Sequence, residues 1–134
     1  MTVLLDTHVW IWWLIGSEKL SRKEYGELDR LASRGNLGLA AVSLWEAQML
    51  HAKGRLTIDR TFDAWIRDAT AASVIKVYPL DVEVVIALNG LPKSFHGDPA
   101  DRLIVATARA HDVLLATHDT AIRRSRVATI WKPA

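Results

Sequence analysis

Apolar residues along the chain come in short blocks whose period changes in a regular order. Residues 2–5, Thr-Val-Leu-Leu, are β-prone and do not alternate, the pattern of a strand buried on both faces of a parallel sheet. The run stops at Asp6, where Thr7 is placed to cap a short helix over 9–15 that is apolar nearly all round. Residues 21–34 open with the capping box Ser21-x-x-Glu24, carry the stripe Tyr25, Leu28, Leu31 and Ala32, and end at Gly35-Asn36. Residues 37–42 read as a second strand. A second capping box, Ser43 with Glu46, opens a helix to about Ala52, stopped by Lys53-Gly54.

The second half repeats the alternation. Residues 61–73 are predicted helical, with Phe62, Trp65, Ile66 and Ala69 on one face, and 74–78 form a third strand closed by Pro79. Asp81 caps a short helix of Val82, Val85, Ile86 and Leu88, ended by Asn89-Gly90, and 91–97 is a loop. Asp98 fits an N-cap, Pro99 the first helical position and Asp101 the third, ahead of the apolar run Leu103-Ile104-Val105-Ala106. A fourth strand over 113–117 ends at His118-Asp119; a short basic helix over 122–126 leads to a last strand over 127–131. Strands alternating with helices predict an α/β fold: a mainly parallel central sheet of about five strands flanked by helices. With no repeat or linker, residues 1–134 are expected to be a single domain.

Composition narrows the chemistry. There is no cysteine, which excludes disulfides, thiolate metal sites and a cysteine nucleophile. The net charge of +2 permits a nucleic-acid partner without arguing for one. The N-terminus has no signal-peptide pattern, and no apolar run is long enough to span a bilayer, so a cytoplasmic protein is expected. His8, His96 and His118 lack a paired helical spacing and make a poor zinc signal.

The acids carry the sharper signal. In open α/β sheets ligands bind outside the carboxyl ends of the strands. Asp6 ends the first strand, Glu46 opens the helix after the second, Asp119 follows the fourth, and Asp98 and Asp101 open the helix before it. Each has a local explanation as a cap or turn residue; their coincidence at one edge does not. Two like charges about 4 Å apart repel by roughly 4 kcal/mol at an effective dielectric near 20. Such a cluster therefore holds protons or binds a cation, and all-oxygen ligation suits Mg²⁺ or Mn²⁺. That is the setting for phosphodiester hydrolysis by an activated water.

At these residues the chain resembles a PIN-domain nuclease, and more closely a VapC-type toxin of a bacterial toxin–antitoxin pair. The resemblance runs over almost the whole length. It rests on Leu4-Leu5-Asp6-Thr7-His8, Ser43-Leu44-Trp45-Glu46, Lys53-Gly54-Arg55-Leu56, the run from Phe95 to Ala108 around Gly97-Asp98-Pro99-Ala100-Asp101-Arg102, and Thr117-His118-Asp119. It implies a Mg²⁺-dependent endoribonuclease, with Mn²⁺ able to substitute. Its acidic quartet falls on Asp6, Glu46, Asp101 and Asp119. It also implies a cognate antitoxin and a homodimer.

From these residues, Asp6 and Asp101 are expected to be the most direct metal ligands, with Asp119 and Glu46 holding waters or a second ion. Asp98 is a cap first and a helper second. Thr7 and Thr117 would hold carboxylates or waters, His118 would contact phosphate, and Arg102 would pair with the acids. Lys53, Arg55, Arg109, Arg123, Arg124 and Arg126 are candidate cations for an RNA backbone, the Arg123–Arg126 cluster foremost. Of Trp10, Trp12 and Trp13, at least one is expected at a dimer or antitoxin contact. Two rivals are a haloacid-dehalogenase-type phosphatase, which lacks its second Asp because His8 stands there, and a catalytically silent binding protein of the same fold.

Overall fold

The apolar tripeptide at the start of the chain divides the molecule in two. In the computed structural model, which describes residues 1–95 and 97–133, Val3–Leu5 is strand β1 with all three side chains buried. Side chains alternate across a strand, so Val3 and Leu5 enter one core and Leu4 the other. Strands β2 (Leu37–Ala40), β3 (Lys76–Tyr78) and β4 (Leu114–Ala116) complete a sheet of order β3-β2-β1-β4, every neighbouring pair parallel. Helices α1 (Thr7–Ile15), α2 (Arg22–Ser33), α3 (Val42–Ala52) and α4 (Phe62–Ala69) supply the first core through Trp10, Leu28, Ala47 and Trp65. Helices α5 (Val82–Asn89), α6 (Pro99–His111) and α7 (Thr120–Ser125) cover the other face, where Ile104, Val105, Ala108 and Ile122 pack on Leu4 and Leu115.

Register places the functional edge. Leu5 pairs with Leu39 on one side and with Ala116 on the other, so three strands end level. Close approach at Gly38 holds the outer strand in place: a Cβ there would lie 2.5 Å from Cε2 of Tyr78 and 3.3 Å from Cδ1 of Leu4.

Several boundaries differ from the sequence pattern. The expected last strand reduces to a single bridge between Leu115 and Ile130, flanked by Leu115 N–H to Thr129 O and Trp131 N–H to Leu115 O, both 2.9 Å. The helix expected over 61–73 ends at Ala69, because residues 71–75 turn to bring Lys76 into register with Gly38. Asp6, not Thr7, caps α1: its carboxylate accepts the His8 N–H at 2.8 Å. The Ser43–Glu46 capping box does not form. The helix begins at Val42 with Ala41 as an uncapped start, so Ser43 lies inside the first turn, and both its hydroxyl and Glu46 turn to Thr7. The Ser21–Glu24 box is complete, and Asp81 and Asp98 cap as expected.

Among the described residues no helix is long and apolar enough to cross a membrane.

Candidate metal centre

Parallel strands joined through helices put helix N-termini at the carboxyl edge of the sheet; aspartates cap four of the helices, and three of those carboxylates line a common cavity there, Asp81 of α5 being the exception. Asp6 caps α1, Asp98 caps α6 and Asp119 caps α7. The positive ends of the helices favour negative charge there. Helix α6 precedes its strand and returns antiparallel to it, which brings its N-terminus, and Asp101 with it, to the same edge. The edge holds a cavity of about 380 Å³, lined by Asp6, His8, Trp12, Glu46, Asp98, Asp101, His118 and Asp119.

Each carboxylate is held differently. Asp6 is buried; its Oδ1 accepts from His8 N–H and its Oδ2 from the Thr117 hydroxyl at 2.6 Å. The same Thr117 oxygen accepts the Asp119 N–H at 3.0 Å, while Asp119 Oδ1 accepts from Ile122 N–H at 2.9 Å. Thr7, also buried, donates to Glu46 Oε1 and shares a 2.8 Å hydrogen bond with Ser43. Asp98 Oδ1 accepts the Asp101 N–H at 2.8 Å, which fixes the start of α6. Gly97 makes room for this turn: a Cβ there would lie 2.6 Å from Cζ of Phe95 and 3.2 Å from Cβ of Asp101.

Among the described residues, Asp101 receives no side-chain hydrogen bond of its own. Burial, and then the negative charges of Asp98, Asp119, Asp6 and Glu46, push its carboxyl up to about 7. Glu46 is also raised, first by burial and then by Asp98 and Asp6, against the opposing hydrogen bond from Thr7. The donor set is hard oxygen throughout, which fits Mg²⁺ or Mn²⁺. Among the described residues no three His, Asp or Glu side chains form a ready cage. Mg²⁺ does not need one, since it keeps several waters and takes one or two carboxylates from the protein.

Four residues expected in supporting roles have partners within the protein. His118 does not stand free for phosphate; its Nε2 is 2.6 Å from Glu24 Oε2, because residues 94 apart in sequence meet where α2 passes the end of β4. Arg102 turns away from the acids and donates to the Phe95 carbonyl at 2.9 Å, bracing the loop before α6. Arg123 likewise donates to the Thr117 carbonyl at 3.2 Å, and Arg109 to the Val127 carbonyl at 3.0 Å. Of the tryptophans, Trp10 is fully buried, Trp12 is half-buried at the cavity, and Trp13 is half-buried with its indole N–H on Asp29 at 2.9 Å. His96 lies outside the described residues. Local sequence reading missed Ser43 as the partner of Thr7 and Glu24 as the partner of His118. Neither pairing leaves a local signal.

The PIN domain family pattern matches residues 3–127. This chain belongs to the PIN domain family. The match removes the haloacid-dehalogenase-type alternative. Over 133 residues, 97% of this PIN domain chain and 98% of the relative, it is 33% identical to Ribonuclease VapC22 of Mycobacterium tuberculosis (strain ATCC 25618 / H37Rv). Its fold is similar to VapBC2 from Rickettsia felis, solved bound to a DNA fragment from their promoter, with TM-score 0.73, 17% identity and 98% of each chain covered. It is also similar to FitAcB from Neisseria gonorrhoeae, with TM-score 0.70, 22% identity and 98% of each chain covered.

Proposed function

We propose that this PIN domain is a divalent-metal-dependent endoribonuclease and the toxin of a toxin–antitoxin pair. One observation carries the reading: Asp6, Glu46, Asp101 and Asp119, from four separate segments, line one cavity in which the Asp101 carboxyl is pushed up to about 7. The 33% identity to a ribonuclease over nearly the whole chain supports it.

In this reading Asp6 and Asp101 hold Mg²⁺ directly, with Asp119 and Glu46 beside them. The ion, when bound, supplies positive charge to the phosphate oxygens and acidifies a neighbouring water. The protein's own groups do the rest. Thr117 and the His8 N–H orient Asp6, and Thr117 at the same time fixes the backbone of Asp119. Glu46, with Oε1 engaged by Thr7, takes the proton of the attacking water on Oε2. Its raised proton affinity suits that task. RNA as substrate puts the reaction in the cytoplasm. The single domain over 1–134 belongs to the same reading.

A toxin–antitoxin complex from Klebsiella pneumoniae among the structural relatives supports a cognate antitoxin as partner, and an acidic cavity suits an inserted Arg or Lys. We assign a homodimer contact to α5 and to Leu80, two residues before it. Leu80, Val82, Val85 and Ile86 are 55%, 71%, 50% and 59% exposed, an apolar cluster of the kind that marks an interaction surface. Val85→Asp with Ile86→Asp should then shift the sedimentation mass from two chains to one.

The deciding experiment is cleavage of total RNA with Mg²⁺ or Mn²⁺ and with chelator, for the wild type and for Asp6→Asn and Asp101→Asn. Metal-dependent cuts lost in both folded variants are expected. Full activity in both would overturn the assignment. No cleavage by the wild type, together with no carboxylate-dependent Mn²⁺ uptake, would leave a silent binding protein.

A further inference from the structure

The cavity is lined by two chemically distinct sets of side chains, and the metal reading uses only one of them. Besides the carboxylates, Trp12, His8 and His118 line it. Trp12 packs against the first core, is half-buried and lines the cavity. Aromatic surface left facing a polar cavity is unfavourable unless a ligand covers it.

Trp12 is also held in place. The Tyr25 hydroxyl shares its one proton between the Trp12 carbonyl at 2.8 Å and the Ser17 carbonyl at 2.6 Å, which pins the end of α1. The His118 ring meets the indole nearly edge-on, at 5.4 Å between centroids and 74° between planes, and His8 flanks it at 5.8 Å. His118 is itself tied to Glu24, whose other oxygen accepts the Ser21 N–H in the capping box of α2. A side chain fixed through its backbone and its ring neighbour loses little freedom when a ligand stacks on it.

We propose that Trp12, framed by His8 and His118, is the seat of one unpaired nucleobase adjacent to the scissile phosphate. The inference rests on the ribonuclease reading above and deepens it by naming how substrate is selected. Every nucleobase has a π-face, and stacking on an aromatic side chain needs that face free of a neighbouring base pair. A phosphate facing a divalent ion held by these carboxylates would bring its own base into the same cavity of about 380 Å³, within the range of small-ligand sites. The enzyme therefore takes single-stranded segments and refuses duplex.

The test compares the wild type, Trp12→Phe and Trp12→Leu on a cleaved single-stranded oligonucleotide, its duplex, and a copy abasic at the nucleotide 5′ or 3′ to the cut. Circular dichroism and Mn²⁺ titration check fold and metal uptake. Trp12→Leu should raise KM about tenfold or more with kcat nearly kept, while Trp12→Phe retains most of the affinity. On one of the two abasic substrates the Leu and wild-type proteins should become alike, because the base that Trp12 stacks is gone. A merely structural tryptophan would cost all substrates equally, and that result overturns the proposal. So does equal cleavage of duplex, or a wild-type KM in Trp12→Leu. Should the wild type cleave no RNA, the parent reading fails instead, which no Trp12 variant can mimic.

Discussion

Thr117 donates its hydroxyl to Oδ2 of Asp6 at 2.6 Å across 111 residues of sequence, and the same oxygen accepts the Asp119 N–H. One buried threonine thus holds two of the four acids. Thr117→Val keeps the shape and removes both bonds. It should cost about 1–3 kcal/mol of stability, as expected when buried polar groups lose a partner. Metal affinity should fall by roughly 10–100-fold, the usual cost of losing a group that orients a ligand. Denaturant melts and Mn²⁺ titration read the two effects separately. A variant with wild-type Mn²⁺ affinity would show that Asp6 needs no such hold.

Thr7 plays the matching role for Glu46. Its hydrogen bond lowers a carboxyl that burial and neighbouring acids raise. Thr7→Val should therefore raise Glu46 further and move the acid limb of the kcat/KM profile to higher pH, while Thr7→Ser should restore it. An unmoved limb in Thr7→Val would remove Glu46 as the proton acceptor.

Asp101 makes the metal-free protein sensitive to pH. Its folded carboxyl stands at about 7 against an ordinary 3.8, so between these values the folded state holds the proton more tightly than the unfolded chain. The stability it contributes is full below about pH 4 and is lost as pH rises through about 7. Asp101→Asn should therefore raise the Tm of metal-free protein at pH 8, with the gain shrinking toward pH 4. Mn²⁺ should stabilise the wild type at pH 8, less so at pH 5, and the Asn variant hardly at all. Parallel Tm curves for the two metal-free proteins across this range would refute the cluster's electrostatics.

Gly97 sits where a Cβ would press on the buried Phe95 ring and on Asp101. Gly97→Ala should cost about 1–3 kcal/mol through crowding. Cleavage should fall by more than that stability loss explains, since Asp101 is displaced with Phe95. Thermal melts and steady-state kinetics on one preparation give both numbers; a stable, fully active variant would show that the turn can yield.

Much was legible in the sequence because the deciding physics was local. The unbroken apolar run at residues 3–5 announced a strand buried on both faces, and Asp98-Pro99 announced a helix start whatever surrounded it. The order of strands and helices fixed the fold class, and with parallel strands it also fixed which edge would collect Asp6 and Asp119. What the sequence could not decide were choices between local and distant partners for one group. Ser43 and Glu46 are spaced for a capping box, yet a helix starting at Val42 leaves both to Thr7 on α1. His118 finds Glu24, and Arg102 finds the Phe95 carbonyl, because packing brings those partners within hydrogen-bond reach. The depth of Asp101 is a tertiary matter for the same reason: only the antiparallel return of α6 onto β4 carries a helix cap to the strand ends. Sequence by itself determined which residue types could do the chemistry. Tertiary structure decided which of them meet, since a side chain's partner is set by what packing brings within hydrogen-bond reach, not by its neighbours along the chain.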